Sequence, residues 1–380
     1  MPDRVRLLIT GGGHATLPLL DRARKLAAHA DVTLLSDCPE LWYSGMVPEW
    51  TGSVYTRNDV TIALAAICAR EGIRFVQGHA SRLDRERRTV TTASGETLTY
   101  DLLVVDVGAV NPGDSGSATP TKPLHSIQSM ADLRDGRLVI VGGGAAGVET
   151  ALNVTAGRPG LHVTIIEPSA RLLSGLPESA GRWAHDLLVQ RGADVRLHTQ
   201  AAQGDADGVR LVDGDTIAAD AVLWATGSVG QPWLEESGLA TTEKGFVRVR
   251  SSLLTETDAR IFVAGDAAAV AGHESLARIG VHAVKQGPLL AENVRRSVEN
   301  MHAGQEPDDA ELEAFRPYPV APLIVSTGEP WAIVIVGSLA LRGRWALALK
   351  HLVDRRWMAK YRTSAPSYAS WIDLRCASRV

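Results

Sequence analysis

Apolar residues in this chain gather in short runs that end in glycine. Leu138–Val141 (LVIV) runs into Gly142, Gly143 and Gly144, and an Ala/Leu pattern of helical spacing follows through Gly147 and Glu149. That order predicts a buried strand, a tight turn and a helix start. A further apolar run, His162–Ile166 (HVTII), ends in Glu167.

The same pattern stands earlier in the chain. Val5–Thr10 runs into Gly11, Gly12 and Gly13, with Thr16 where the later turn has Gly147. Gly11 and Gly13 lie 131 residues before Gly142 and Gly144, and Asp31–Leu35 lies 131 before His162–Ile166. The position matching Glu167 is Ser36, with Asp37 next to it. Downstream, Val90–Asp101 and Val209–Asp220 both read strand–turn–strand around Gly95 and Gly214. Each leads to an apolar strand ending in glycine, Leu102–Gly108 (LLVVDVG) and Ala221–Gly227 (AVLWATG).

A third signal, Ala259–Asp266 (ARIFVAGD), follows the second copy. Val281–Val298 after it is amphipathic at helical spacing despite Pro288, which is expected in a first turn or at a kink. Because the third signal follows the whole second copy, the predicted fold is α/β with one unit inserted in the other. Residues 1–115 and 240–318 form one Rossmann-like unit, 116–239 a second, and 319–380 a C-terminal α+β interface segment.

The glycines carry candidate chemistry. In G-x-G-x-x-G the first glycine (Gly142) makes the turn, the second (Gly144) lets a pyrophosphate approach the backbone, and the third (Gly147) lets helix and strand pack closely. The helix start then offers N–H groups and partial positive charge to phosphate. Glu167 can accept from a ribose 2′-OH and repels a 2′-phosphate, which favours NADH over NADPH. In the first unit Asp37 can take a ribose by a one-residue shift. Two copies suggest two dinucleotides; the alternative is one functional unit and one copy kept for packing.

Composition narrows the class. The chain has 380 residues, 45% apolar and 22% charged, with a net charge of −4, a balance that argues against a general nucleic-acid binder. Its three cysteines, Cys38, Cys68 and Cys376, show no C-x-x-C spacing, so neither a disulfide framework nor a zinc site is expected. The N-terminus reads as a strand rather than a signal peptide, and no apolar run approaches the ~18 residues that span a bilayer. A cytoplasmic protein is expected.

The order GGGHAT, GGGAAGVE, WATG, FVAGD, AVKQG resembles the flavoprotein reductases with two dinucleotide-binding domains, the pyridine nucleotide-disulfide oxidoreductase superfamily. Within it the chain is most similar to type II NADH:quinone oxidoreductases. Tyr43-Ser44-Gly45-Met46-Val47-Pro48 and the GGGHA start also resemble the flavoprotein portion fused to selenide, water dikinase in some organisms. The resemblance covers about residues 5–340. It implies that the discontinuous unit holds FAD and the inserted unit NADH, with hydride passing from nicotinamide to flavin and then two electrons to a quinone or similar small acceptor, without redox cysteines. Gly11 and Gly13 would face the FAD pyrophosphate, and Gly265 and Asp266 its phosphate and ribityl chain. Gly142, Gly144, Gly147 and Glu167 would hold NADH. Glu149 matches a glutamate near the nicotinamide; otherwise it is a first-turn carboxylate favoured by the helix dipole. Where the family has A-Q-x-A-x-Q, this chain has Val281-His282-Ala283-Val284-Lys285-Gln286. Gln286 is kept, and His282 either donates to a quinone carbonyl or is a satisfied surface histidine. The alternative function is a partner or regulator in selenium metabolism.

After Arg316-Pro317-Tyr318-Pro319 the character changes. Val320–Val325 and Trp331–Val336 predict two strands around a Thr327-Gly328-Glu329-Pro330 turn. From Arg342 to Val380 nine Lys/Arg face two Asp/Glu, a basic tail on an acidic chain. Trp345, Leu349, Leu352, Val353 and Trp357 share a helical face, expected to pack on the flavin unit at least over Trp345–Val353. The basic residues over about 342–362 also suit reversible docking on an anionic membrane, and a homodimer stays open.

Overall fold

The computed structural model describes residues 4–111, 133–205 and 208–362. The glycine-ended apolar runs form two parallel sheets, as runs buried on both faces do. The first sheet holds β1 (Val5–Thr10), β2 (Ala30–Ser36), β3 (Arg74–Gln77) and β4 (Leu102–Val105). The second holds β5 (Gly136–Val141), β6 (Leu161–Ile166), β7 (Asp194–Arg196) and β8 (Ala221–Trp224), in the order β7-β6-β5-β8. The chain then returns: β9 (Ile261–Val263) pairs with β4, giving the first sheet the order β9-β4-β1-β2-β3.

The duplication extends to strand register. Val5 pairs with Ala30 and Thr10 with Leu35, while Gly136 pairs with Leu161 and Val141 with Ile166. Each sheet is backed by an antiparallel meander, at residues 80–99 in the first unit and 201–218 in the second.

The helices differ more. After the first glycine turn comes only a four-residue helix, α1 (Leu17–Leu20), continued by a 3-10 turn. Helix α2 (Val47–Thr51) belongs to the first unit, and α3 (Ala145–Gly157) follows the second glycine turn. Helix α4 (Gly280–His302) runs through Pro288, which is exposed and lies beyond the first turn, so of its two expected places the first-turn position does not hold. The exposed ring escapes packing conflict, and Gly287 beside it packs against Pro18 of α1.

Helices α2 and α3 join the units closely. A Cβ on Gly157 would lie 1.8 Å from the Gly52 carbonyl oxygen, and Arg158 Nε donates to the Thr51 carbonyl. The two connections between units also pair, at Val110 and Val229.

The C-terminal segment straddles both units. Strands β10 (Leu323–Ser326), β11 (Ala332–Val336) and β12 (Leu339–Gly343) form an antiparallel sheet, one strand more than the apolar runs predict. Val325, Ile333 and Ile335 enter the core of the second unit. The last helix, α5 (Arg344–Tyr361), places Trp357, Met358 and Tyr361 in the core of the first. Ala346 is buried and Leu347 packs beside it on the C-terminal sheet, but the large apolar residues of the predicted face do not pack inward as expected: Trp345 is 52% exposed, Leu349 41%, Leu352 65% and Val353 54%. The inner face between them carries Lys350 and Asp354, both buried.

Candidate functional site

In the second glycine turn each glycine has a separate steric reason. Gly142 has φ +115°, and a Cβ there would strike the Ala225 carbonyl oxygen at 2.5 Å. A Cβ on Gly147 would sit 2.0 Å from the Gly142 carbonyl oxygen, so only glycine lets α3 pack this near the turn. At Gly144 a Cβ would meet no protein atom within 4 Å, leaving that backbone accessible to a phosphate. Glu167 closes the turn from the end of β6: its Oε2 accepts from Gly143 N at 2.7 Å and its Oε1 from Ser169 N at 2.9 Å. A carboxylate has about four lone-pair directions, so ribose hydroxyls can still be accepted.

The first turn shares the backbone but not the surroundings. Gly11 has φ +89° and abuts the Asp106 carbonyl, as Gly142 abuts Ala225. Gly13, however, faces the Asp106 carboxylate, whose Oδ2 accepts from Ala15 N and Thr16 N, each at 2.9 Å. Burial pushes the Asp106 carboxyl up to about 6, opposed by those N–H donors and reinforced by the like charge of Asp266. Asp37 lies half-buried past β2, its carbonyl accepting from Gln77 Nε2, and lines a small cavity with Gly11, Ser36 and Gly78.

Gly265 and Asp266 approach this turn from β9. Gly265 has φ +66°, and its N–H donates to Gln286 Oε1 at 2.7 Å. A Cβ on Gly265 would come within 2.4 Å of Asp106 Oδ1. Burial raises the Asp266 carboxyl, and the Arg278 charge opposes the rise. Arg278 Nε donates to the Asp266 carbonyl. His282 and Gln286, four residues apart on α4, line the same hollow as Gly265, Asp266 and Arg278. His282 is buried rather than a surface residue, and its Nδ1 has no partner. Burial and, secondarily, Lys285 lower its pKa, which favours the neutral ring.

Glu149 is not a first-turn carboxylate. It is the fifth residue of α3, and its Oε1 accepts from Ser326 N at 2.9 Å and Ser326 Oγ at 2.7 Å. Lys350 Nζ of α5 lies 3.6 Å from Glu149 Oε1, 3.1 Å from Asp354 Oδ2 and 3.8 Å from Glu49 Oε2. It also donates to the Gly45 carbonyl. Glu49 Oε1 meets His351 Nε2 at 2.7 Å, and Tyr43 donates to Asp354 Oδ1 at 2.9 Å. Burial works against the Lys350 charge, but the three carboxylates outweigh it and hold the ammonium above its usual range. Burial raises Glu149, against the pull of Lys350. Beside this cluster the rings of Tyr43 and Trp357 stack at 4.4 Å, with His14 of the first turn 5.5 Å from Trp357. Burial lowers His14 to about 4, so its ring is neutral near pH 7.

The candidate residues therefore form three groups: the second turn with Glu167, the first turn with Gly265, Asp266, His282 and Gln286, and Glu149 at the seam. The sequence did not single out Asp106, Glu49, Lys350, Asp354 or His14. Two signals were present: Asp106 interrupts an apolar strand where the copy has Ala225, and Lys350 and Asp354 lie four apart in a helix with an apolar opposite face. Of the cysteines, Cys38 follows β2 and Cys68 lies in the Leu64–Glu71 helix, its thiol pushed up to about 12 by burial. Cys376 lies outside the described residues.

Residues 5–296 match the model of the pyridine nucleotide-disulphide oxidoreductase family. The chain is similar to a type II NADH:quinone oxidoreductase of Staphylococcus haemolyticus (strain JCSC1435), with 24% identity over 398 residues covering 94% of this chain and 96% of that protein. Its fold is similar to NDH2 from Plasmodium falciparum in complex with NADH, at TM-score 0.73 and 13% identity over 95% of each chain. It is also similar to the sulfide:quinone oxidoreductase of Aquifex aeolicus, at TM-score 0.70 and 21% identity over 96% of this chain and 93% of that one.

Proposed function

The chain belongs to the pyridine nucleotide-disulphide oxidoreductase family and is an FAD-dependent oxidoreductase using NADH; from that premise we propose that it reduces a quinone at a membrane surface. Bound flavin supplies the redox chemistry, taking hydride from NADH and passing two electrons onward. The residues around it bind, orient and handle protons. In this reading Gly142, Gly144 and Gly147 carry the NADH diphosphate and Glu167 its adenosine ribose. Gly11, Gly13, Gly265 and Asp266 carry the FAD diphosphate and ribityl chain, with Asp37 on the ribose. The second turn suits its group without change; the first suits a diphosphate in backbone shape but brings the Asp106 carboxylate to it.

Quinone reduction consumes protons as well as electrons. Glu149, raised by burial against the pull of Lys350, is a carboxyl that can exchange a proton at the seam. Neutral His282 and the Gln286 amide offer donors in the separate hollow beside Gly265 and Asp266.

The single observation that carries the quinone reading is the two-sided character of α5. Its inner face puts Lys350 against Glu149, while its outer face exposes Trp345, Leu349, Leu352 and Val353. Strand β12 adds exposed Leu339 and Leu341, and α5 also exposes Arg344, Arg355 and Arg356. An apolar strip with exposed arginines on the same helix suits a lipid surface, where quinones dissolve. No helix among the described residues is long and apolar enough to cross a membrane. Each Lys or Arg near an anionic surface contributes about 1 kcal/mol, screened by salt.

The test measures NADH oxidation with soluble quinones, ferricyanide and oxygen, together with sedimentation on anionic vesicles at low salt. Quinones should turn over fastest, and charge reversal at Arg355, Arg356 and Lys360 should abolish sedimentation with FAD still bound. Slow quinone turnover, or a wild type that never sediments, overturns the proposal.

A further inference from the structure

The duplication allows one glycine turn to serve as the control for the other. Where the second unit sets Gly147 against Ala225, the first sets Thr16 against Asp106. The two departures are in contact: Thr16 N donates to Asp106 Oδ2, and Thr16 Oγ1 lies 3.3 Å from the same oxygen. The second turn's glycine backbone at Gly144 has no side chain near it, whereas the equivalent Gly13 has the Asp106 carboxylate against its Cα. A buried anion thus sits in the turn that, on the reading proposed above, receives the FAD diphosphate.

We propose that Asp106 is a positioning residue for FAD that accompanies the cofactor only in its neutral form, so that FAD binding draws a proton into the protein. Every group facing Asp106 bears on this. From the first turn come the Ala15 and Thr16 N–H donors and the Thr16 hydroxyl, which favour the anion. From the β9 side comes Asp266, whose charge disfavours it, while Arg278 is directed at Asp266. From β1 comes the Thr10 carbonyl, which accepts the Asp106 N–H. No basic side chain forms an ion pair with Asp106 among the described residues. With the carboxyl already at about 6, a diphosphate drawn to the same turn carries it across neutrality. The neutral carboxyl keeps one oxygen to accept from the turn and gains an O–H to donate to a phosphate oxygen.

The experiment is FAD binding to the flavin-stripped full chain, followed by flavin fluorescence and by calorimetry in buffers of different ionisation enthalpy. In the wild type, Kd should rise by up to about tenfold per pH unit above about pH 6, with nearly one proton taken up per FAD at about pH 8. Asp106→Asn should bind at least about tenfold tighter than wild type at that pH, with a flat profile and no uptake. The double variant Thr16→Gly, Asp106→Ala, which copies the second turn, should also be flat, and Asp266→Asn should keep the slope. A flat wild-type profile without proton uptake overturns the proposal, and so does an Asp106→Asn profile with the wild-type slope. The calorimetric proton count on the wild type decides the matter even where a variant does not fold. Gly13→Val tests the underlying placement separately: loss of FAD at every pH, with circular dichroism retained, supports it. Undiminished FAD binding by Gly13→Val overturns the placement and the proposal together.

Discussion

Lys350 Nζ stands 3.6 Å from Glu149 Oε1, joining the last helix to the second glycine unit across a seam that Glu49 and Asp354 also share. One ammonium serves three carboxylates, with His351 paired to Glu49.

Removing that ammonium should therefore be severe. Lys350→Met leaves the buried carboxylates without their shared counter-charge, a loss of about 3–5 kcal/mol. The pH dependence has a definite sign. Glu149 already titrates above its ordinary value, and without Lys350 it rises further. A carboxyl raised in the folded state loses stability as pH climbs through its folded value. The melting-temperature gap between variant and wild type should narrow as pH falls from about 8 towards 5. A gap independent of pH would show that the lost contact is packing alone.

The two glycines beyond Gly142 should separate stability from binding. Gly147→Ala brings a Cβ to 2.0 Å from the Gly142 carbonyl oxygen and should cost about 1–3 kcal/mol in urea unfolding. Gly144 has an ordinary negative φ and no protein atom near its missing Cβ. Gly144→Ala should leave the urea midpoint nearly unchanged and weaken NADH by about tenfold or more. Equal loss of stability in both variants would contradict this division.

Glu167→Arg should lower kcat/KM with NADH by about tenfold or more and raise it with NADPH. Because Glu167 also accepts from Gly143 N and Ser169 N, that variant should melt lower as well. Glu167→Gln, which keeps an acceptor but turns the other end into a donor, should lose about 1–2 kcal/mol of stability with a smaller change in preference. Equal use of both nucleotides by the wild type would remove the basis for the preference.

What was legible in the sequence was what short segments decide locally. The glycine turns, their 131-residue spacing and the identical strand registers all follow from runs of fewer than about ten residues. The seam was not legible, because its members meet only after the whole chain has folded: Lys350 reaches the Gly45 carbonyl 305 positions away, and Tyr43 reaches Asp354 across 311. Periodicity also misjudged α5. An apolar face at helical spacing shows that one side differs from the other, not which side turns inward. Here buried Lys350 and Asp354 occupy the inner side because Glu149 and Tyr43 compensate them there.

Helix α5 thus buries Lys350 and Asp354 beside Trp357 and Met358 while leaving a strip of large apolar residues outside, and that has a colloidal consequence. In plain buffer its outer strip of Trp345, Leu349, Leu352 and Val353 wets poorly, and the nearest surface of matching character is the same strip on another molecule. Copies meeting through it would form pairs held by solvent exclusion, expected to loosen on dilution and disperse in mild detergent. The homodimer that the sequence leaves open should be of this kind: light scattering should give a mass that falls with protein concentration and reaches the monomer value once detergent micelles take the place of the second copy.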